Sequence, residues 1–258
     1  MVRARLGQNF LADPNLLDAI VRLSEVGPDD VVLEVGGGEG ALSQRLAPRV
    51  RHLHVIELDP SLRPALEDLA AEFPTMSLTW GDAMRLDLRP LEPAPTAMVS
   101  NLPYSIATPI LIRSIEELPS LQTWTVMVQE EIAERLRAKP GTRVYGIPSV
   151  LVQLACEAEL LRPVDPAVFS PRPRVRSALI RLRRRGEAAP ERVRRLVHDA
   201  FAHRRKTLAS SLELAGAQRV TRAAVRSALG ELGIAEDARA EALAPGDFVR
   251  LADRLESD

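Results

Sequence analysis

The run Val31-Val32-Leu33-Glu34-Val35 passes directly into Gly36-Gly37-Gly38-Glu39-Gly40, and a helical pattern takes over from Leu42 to Leu46. A short apolar segment rich in β-branched residues reads as a strand buried on both faces, as in a sheet covered by helices. The glycines that follow let backbone approach a ligand closely, because they carry no side chain to obstruct it. Strand, glycine loop and helix in that order constrain the chain to an α/β architecture.

The same alternation continues on both sides. Asp13-Pro14 opens a helical pattern through Leu16, Leu17, Ile20 and Leu23, which Gly27-Pro28 ends. Leu53–Leu58 predicts a second strand, residues from Ser61 a helix, and the segment around Leu78 a short strand ending at Gly81-Asp82. Ala97–Ser100 predicts a fourth strand, and the alternation runs on through Thr123–Val128, Glu130–Arg137 and Ser149–Cys156. A parallel, doubly wound sheet accounts for this order. Beyond Glu157 the register changes: Val175, Ser177 and Leu179 predict a strand ending near Leu182. From Pro190 the spacing is helical, with Val193, Leu196, Val197, Ala200 and Phe201 on one face and Val225, Ala228, Leu229 and Leu232 repeating it. These patterns place a boundary near residue 185, dividing a domain over 1–185 from a small helical domain over 186–258.

Composition narrows the class further. A single cysteine, Cys156, excludes a disulfide framework and a multi-cysteine metal site. His52, His54, His198 and His203 lack ligand spacing, so no metal is expected. The uncharged window over 93–112 contains four prolines and is not a membrane span. The opening MVRARLGQNFL lacks a long apolar run, so the expected location is the cytoplasm. The formal net charge of −1 conceals an asymmetry: residues 162–222 hold 16 basic and 5 acidic side chains, a local +11 against −12 elsewhere. Such separation suits one face to a polyanion.

Ligands of doubly wound sheets bind beyond the carboxyl ends of the strands. Four such ends here carry glycine or polar residues: Gly36–Gly40, Glu57, Asp82 and Asn101. Glu57 follows Gly38 by 19 residues, where an acidic group accepts hydrogen bonds from ribose hydroxyls. An adenosine-like nucleoside across the sheet edge fits both. Alone, Gly36-x-Gly38-x-x-Ala41 also satisfies the dinucleotide fingerprint of dehydrogenases. Asn101-Leu102-Pro103-Tyr104 separates the two readings. The lone pair of an adenine exocyclic amine is delocalised into its ring. The Asn101 side-chain carbonyl and a backbone carbonyl beside Pro103 can accept its two hydrogens and favour a pyramidal nitrogen. Proline fixes the local backbone, and Tyr104 offers a ring for stacking on an extruded base.

With those residues in view, the sequence resembles the ribosomal RNA adenine dimethyltransferase family, and within it the branch acting on the small subunit. The resemblance rests on five ordered segments: Gly7–Leu11, Glu34–Gly40, Asn101–Tyr104, Phe169–Ser177 and Phe201–Leu208. It implies a Rossmann-like class I methyltransferase fold and S-adenosyl-L-methionine as cofactor. It implies that Asn9, Leu11, Gly36, Gly38, Glu57, Asp82 and Asn101 line the cofactor site, Glu57 holding the ribose hydroxyls and Asp82 the adenine amine. Tyr104 and Phe169 would sandwich the target adenine beside Asn101, Leu102 and Pro103. Arg204, Arg205 and Lys206 would contact RNA. The implied reaction is dimethylation of two adjacent adenosines near the 3′ end of 16S rRNA in the immature small subunit, by a monomer. Two alternatives are a large-subunit methyltransferase of the macrolide-resistance type and a ribosome-assembly factor with secondary catalysis. The first is not expected to carry the Arg-Arg-Lys-Thr-Leu segment.

Overall fold

The computed structural model describes residues 10, 11, 13–216 and 221–256. In chain order the strands are β1 (Phe10–Leu11), β2 (Val31–Val35), β3 (His52–Glu57), β4 (Met76–Trp80), β5 (Ala97–Asn101), β6 (Thr123–Gln129), β7 (Cys156–Val164), β8 (Phe169–Ser170) and β9 (Ser177–Arg184). The helices are α1 (Pro14–Ser24), α2 (Ser43–Leu46), α3 (Arg63–Glu72), α4 (Ala107–Glu117), α5 (Glu130–Leu136), α6 (Ile147–Ala155), α7 (Glu191–Ala202), α8 (Leu208–Ala215), α9 (Arg222–Glu231) and α10 (Pro245–Glu256).

Seven strands form one sheet in the order β4-β3-β2-β5-β6-β9-β7. Its first five are parallel, as their apolar character requires, with Val35 opposite Ile56 and Asn101 opposite Met127. The sheet is not parallel throughout: β9 runs antiparallel to β6, Leu179 opposite Met127. A parallel neighbour needs a crossover connection, and the segment between β7 and β9 holds no α-helix, only a 3-10 turn at Pro166–Val168 and β8. The strand predicted around Val175 begins later, at Ser177, and Val175 is itself exposed. Strand order reverses between β2 and β5, so the loops leaving those strands diverge and open a crevice.

The chain packs as two compact units. One runs to Ala133 and resumes over Glu157–Arg184, while the other comprises Glu134–Cys156 and the chain from Arg185 onward. The division is therefore not a single cut near 185. Residues 149–156, whose apolar run suggests a continuation of the strand–helix alternation, lie mostly in helix α6 of the second unit.

In the helical unit, Val193, Leu196, Val197, Ala200 and Phe201 are all buried, on the face that their spacing predicts. Tyr145 is fully buried among them; its hydroxyl donates to the Leu243 carbonyl at 2.9 Å and its ring meets Phe201 edge-on at 6.2 Å.

At the amino end of β3 a polar relay crosses the sheet. His54 Nε2 lies 2.8 Å from the Pro93 carbonyl, His54 Nδ1 2.9 Å from Ser77 Oγ, and His52 Nε2 2.9 Å from the same hydroxyl. These three contacts form one consistent chain when both rings are neutral: His52 donates to Ser77, Ser77 to His54, and His54 to Pro93. Burial holds both imidazoles below their ordinary pKa; the neighbouring His54 adds to this at His52, while the Pro93 carbonyl bond and then Glu92 act in the other direction on His54. The unfolded chain therefore takes up these protons first, and stability falls as pH drops below about 6.5. Thermal melting between pH 7.5 and 5 should show a smaller acid-induced loss for His52→Gln/His54→Gln than for the native chain. An equal loss would place the titration elsewhere.

Candidate active site

The crevice at the carboxyl ends of β2, β3 and β5 is a cleft with about 830 Å³ of atom-free space, including its open mouth. Three peptide segments build it. The loop after β2 carries Gly36, Gly38 and Gly40 at φ of +82°, +58° and +82°, where a side chain would strain the backbone. A Cβ added at Gly36 would meet the Pro103 ring at 3.2 Å. Glycine at 36 therefore lets the turn leaving β5 sit directly against the loop leaving β2. That turn is held from below by Leu102 N–H donating to the Met127 carbonyl at 3.1 Å, and it closes through Ile106 N–H to the Pro103 carbonyl. The third segment is β1, whose Phe10 ring lies over Gly38.

Glu57 ends β3 and is buried. Its Oε2 accepts from Gly38 N–H at 2.9 Å, and its Oε1 accepts from the Leu58 and Asp59 amides at 2.8 Å each. The carboxylate thus fixes the glycine loop while keeping acceptor capacity toward the cleft, since two carboxylate oxygens offer about four lone-pair sites. Glu34, in the middle of β2, lines the same cleft and is almost fully buried. Burial pushes its carboxyl up to about 8, against the opposing hydrogen bond from Ser43 Oγ at 2.6 Å and with added repulsion from Glu57. Glu34 is therefore largely protonated at neutral pH and adds no charge beside Glu57.

Among the sequence-predicted residues, Leu11, Gly36, Gly38, Glu57, Asn101, Leu102, Pro103 and Tyr104 line this one cleft. Asn9 lies outside the described residues. Asp82 lies two residues beyond β4 and is not among the lining residues; its Oδ1 accepts from Met84 N–H at 2.9 Å within its own turn. Arg113 of α4 pins that turn by donating to the carbonyls of Ala83 and Leu86 at 2.6 Å each. Phe169 is also outside the lining: it is buried, opposite Leu11 in the two-stranded pairing of β1 with β8. Phe10 and Glu34 also line the cleft; both lie inside the segments Gly7–Leu11 and Glu34–Gly40 but carry no site role in the sequence reading. Glu34 is the lone charge in an otherwise apolar strand, a signal that the sequence itself carries.

The composition of the cleft decides between the two cofactor classes. Among the described residues its lining carries Glu39 and Glu57, beside a Glu34 held neutral, and no Lys, Arg or His. The helix after the glycine loop, α2, spans only four residues. A doubly anionic pyrophosphate is normally met by a full helix N-terminus, which this segment does not provide. An acidic cleft with a close-approach loop and a buried carboxylate at the second strand end instead fits a cationic adenosyl ligand. The residues fit S-adenosylmethionine: Glu57 would hold the ribose, the loop Gly36–Gly38 would border the amino-acid portion, and Phe10 and Leu11 would cover it. Among the described residues, no group of histidine, cysteine, aspartate and glutamate side chains is arranged to hold a metal ion. No helix among them is long and apolar enough to cross a membrane.

Comparison with known proteins gives the same chemistry a lineage. The family model for ribosomal RNA adenine dimethylase matches residues 1–257. Ribosomal RNA small subunit methyltransferase A of Thermobifida fusca is 42% identical, over 96% of this chain and 88% of that protein. The protein of the same name from Rubrobacter xylanophilus is 41% identical, over 98% and 95%. Among solved structures, a dimethyladenosine transferase from Plasmodium falciparum superposes with a TM-score of 0.78 at 24% identity, covering 94% of this chain and 95% of that one. The 23S rRNA methyltransferase ErmE superposes at 0.70 with 30% identity, over 96% and 100%. Methyltransferase fold, a cleft whose residues suit an adenosyl cofactor and full-length match agree: this chain belongs to the ribosomal RNA adenine dimethylase family and uses S-adenosylmethionine.

Proposed function

We propose that this enzyme dimethylates the exocyclic amines of two adjacent adenosines near the 3′ end of 16S rRNA, acting on the immature small subunit. The observation that carries the reading is the close packing of Pro103 on Gly36, which joins the acceptor turn to the cofactor loop in one cleft. The cofactor, when bound, supplies a methyl group on a positively charged sulfur. The protein's part is to bring a poor nucleophile into line with it. Asn101 at the strand end accepts a hydrogen of the adenine amine, which favours the pyramidal nitrogen and localises its electron pair. The half-buried Tyr104 ring stacks on the extruded base. As the amine bonds to the methyl carbon, the carbon–sulfur bond breaks and leaves a neutral thioether; the positive charge passes to the amine, which releases one proton to solvent.

Several features favour a small-subunit substrate. The two full-length relatives at 41–42% identity carry small-subunit names, against 30% for the large-subunit enzyme. The Arg204-Arg205-Lys206-Thr207-Leu208 segment, not expected in the large-subunit type, is present. Glu57, Asn101, Pro103 and Tyr104 converge on one cleft, which favours catalysis over docking alone. Labelled methyl groups should enter 16S rRNA of immature small subunits and leave large-subunit rRNA unlabelled; the reverse pattern would assign the enzyme to the other branch.

Arg205 and Lys206 are exposed just beyond α7, and we assign the RNA phosphates to them. Arg204 has a different role. Its Nη2 donates to the carbonyls of Arg143 and Tyr145 at 3.1 and 3.0 Å and lies 3.3 Å from Glu241 Oε2. Arg205→Gln/Lys206→Gln should flatten the log–log salt dependence of subunit binding by about one to two units. Arg204→Gln should instead lower the melting temperature by loosening the 143–145 loop. An unaltered salt slope in the double variant would move the docking surface elsewhere.

A further inference from the structure

We propose that Ser177 is a positioning residue for methyl transfer, holding the Tyr104 ring in the orientation that receives the target adenine. The proposal rests on the stacking role given to Tyr104 above. Tyr104 Oη lies 2.6 Å from Ser177 Oγ, and Ser177 is fully buried as the first residue of β9. The two residues are 73 positions apart in sequence, one on the turn leaving β5 and the other on the antiparallel strand two places along the sheet.

A tyrosine ring has two side-chain torsions. The backbone hydrogen bonds that hold the turn do not fix them. The inner end of the Tyr104 ring is set by the turn itself, and the Ser177 hydroxyl takes hold of the opposite end. With both ends fixed, the ring has one orientation in the cleft and does not have to be ordered when a base arrives. The strand supplying the serine is well anchored, since β9 pairs with β6 along its whole length from Ser177–Gln129 to Arg183–Thr123. Burial raises the Tyr104 pKa, against the opposing effect of the Ser177 hydrogen bond, so the phenol keeps its proton at neutral pH and either hydroxyl can serve as the donor. Ser177 reaches neither cofactor nor base; it acts through Tyr104.

The test uses the full chain with two RNAs, one carrying adenine at the target for methyl transfer and one carrying 2-aminopurine there, which lacks the reacting amine and whose fluorescence falls when the base stacks on an aromatic ring. Ser177→Ala should lower single-turnover methyl transfer roughly 5- to 30-fold, the range for losing a buried hydrogen bond. It should weaken the stacking quench while leaving the Kd for cofactor and the melting temperature close to native values. Tyr104→Phe, which removes the other half of the bond, should give a similar loss. The double variant should be no worse than either single one, because both remove one interaction. Tyr104→Ala should abolish the quench; if it does not, the stacking role itself is wrong and the proposal falls with it. If Tyr104→Ala abolishes the quench but Ser177→Ala leaves quench and rate intact, or if the two single losses multiply, Ser177 is not positioning the ring.

Discussion

Asn101→Ala lowers the rate of methyl transfer by about 10²–10³ while changing RNA affinity little, the pattern for losing an interaction made mainly in the transition state. In the ground state the adenine amine is planar, and water can serve as its acceptor in place of Asn101. As the nitrogen becomes pyramidal its hydrogens grow more acidic, and a fixed carbonyl then contributes more than mobile solvent. The fold provides that fixity. Asn101 is the last residue of a strand inside a parallel sheet, paired with Met127, and the next amide is bonded to the Met127 carbonyl. Single-turnover transfer at saturating RNA and cofactor checks this, and a variant with near-native turnover would remove Asn101 from the chemistry.

Glu57→Ala weakens cofactor binding by about 1.5–3 kcal/mol, roughly 10- to 150-fold in Kd. Two effects combine. The ribose loses its acceptor, and the amides of Gly38, Leu58 and Asp59 lose theirs, so the glycine loop is no longer held in the conformation that admits the ligand. Glu57→Gln retains one carbonyl oxygen and should fall between native and alanine. Calorimetry on variants shown to be folded separates the two effects. Unchanged affinity in folded Glu57→Ala would mean that the ribose sits elsewhere.

The parallel half of the sheet and the cleft along it were legible because a buried parallel strand writes itself as a predominantly apolar run. Val31–Val35 and Ala97–Asn101 are such runs, and their polar or glycine ends marked the site. The edge was not legible. β7 is exposed along most of its length and contains Pro163, so it carries no apolar signature. Helix α4 was hidden by Pro109 in its first turn, a position where proline is tolerated. Helix α6 is apolar around much of its circumference, which short-range periodicity cannot distinguish from a buried strand. Long-range pairing was also out of reach. The contact of Leu11 with Phe169 and the bond of Tyr104 to Ser177 join segments separated by many residues, and no local pattern announces either. Arg204 shows the converse: its sequence context is that of a phosphate ligand, but it is held by carbonyls that only the folded chain brings to it.

Mass spectrometry of 16S rRNA fragments, after incubating the protein with S-adenosylmethionine and immature small subunits, tests the central claim most directly. The account predicts two methyl groups on each of two adjacent adenosines in the 3′-terminal fragment, and none with Asn101→Ala over the same interval. A native enzyme that leaves that fragment unmodified, or that adds its methyl groups at any other nucleotide, would contradict it.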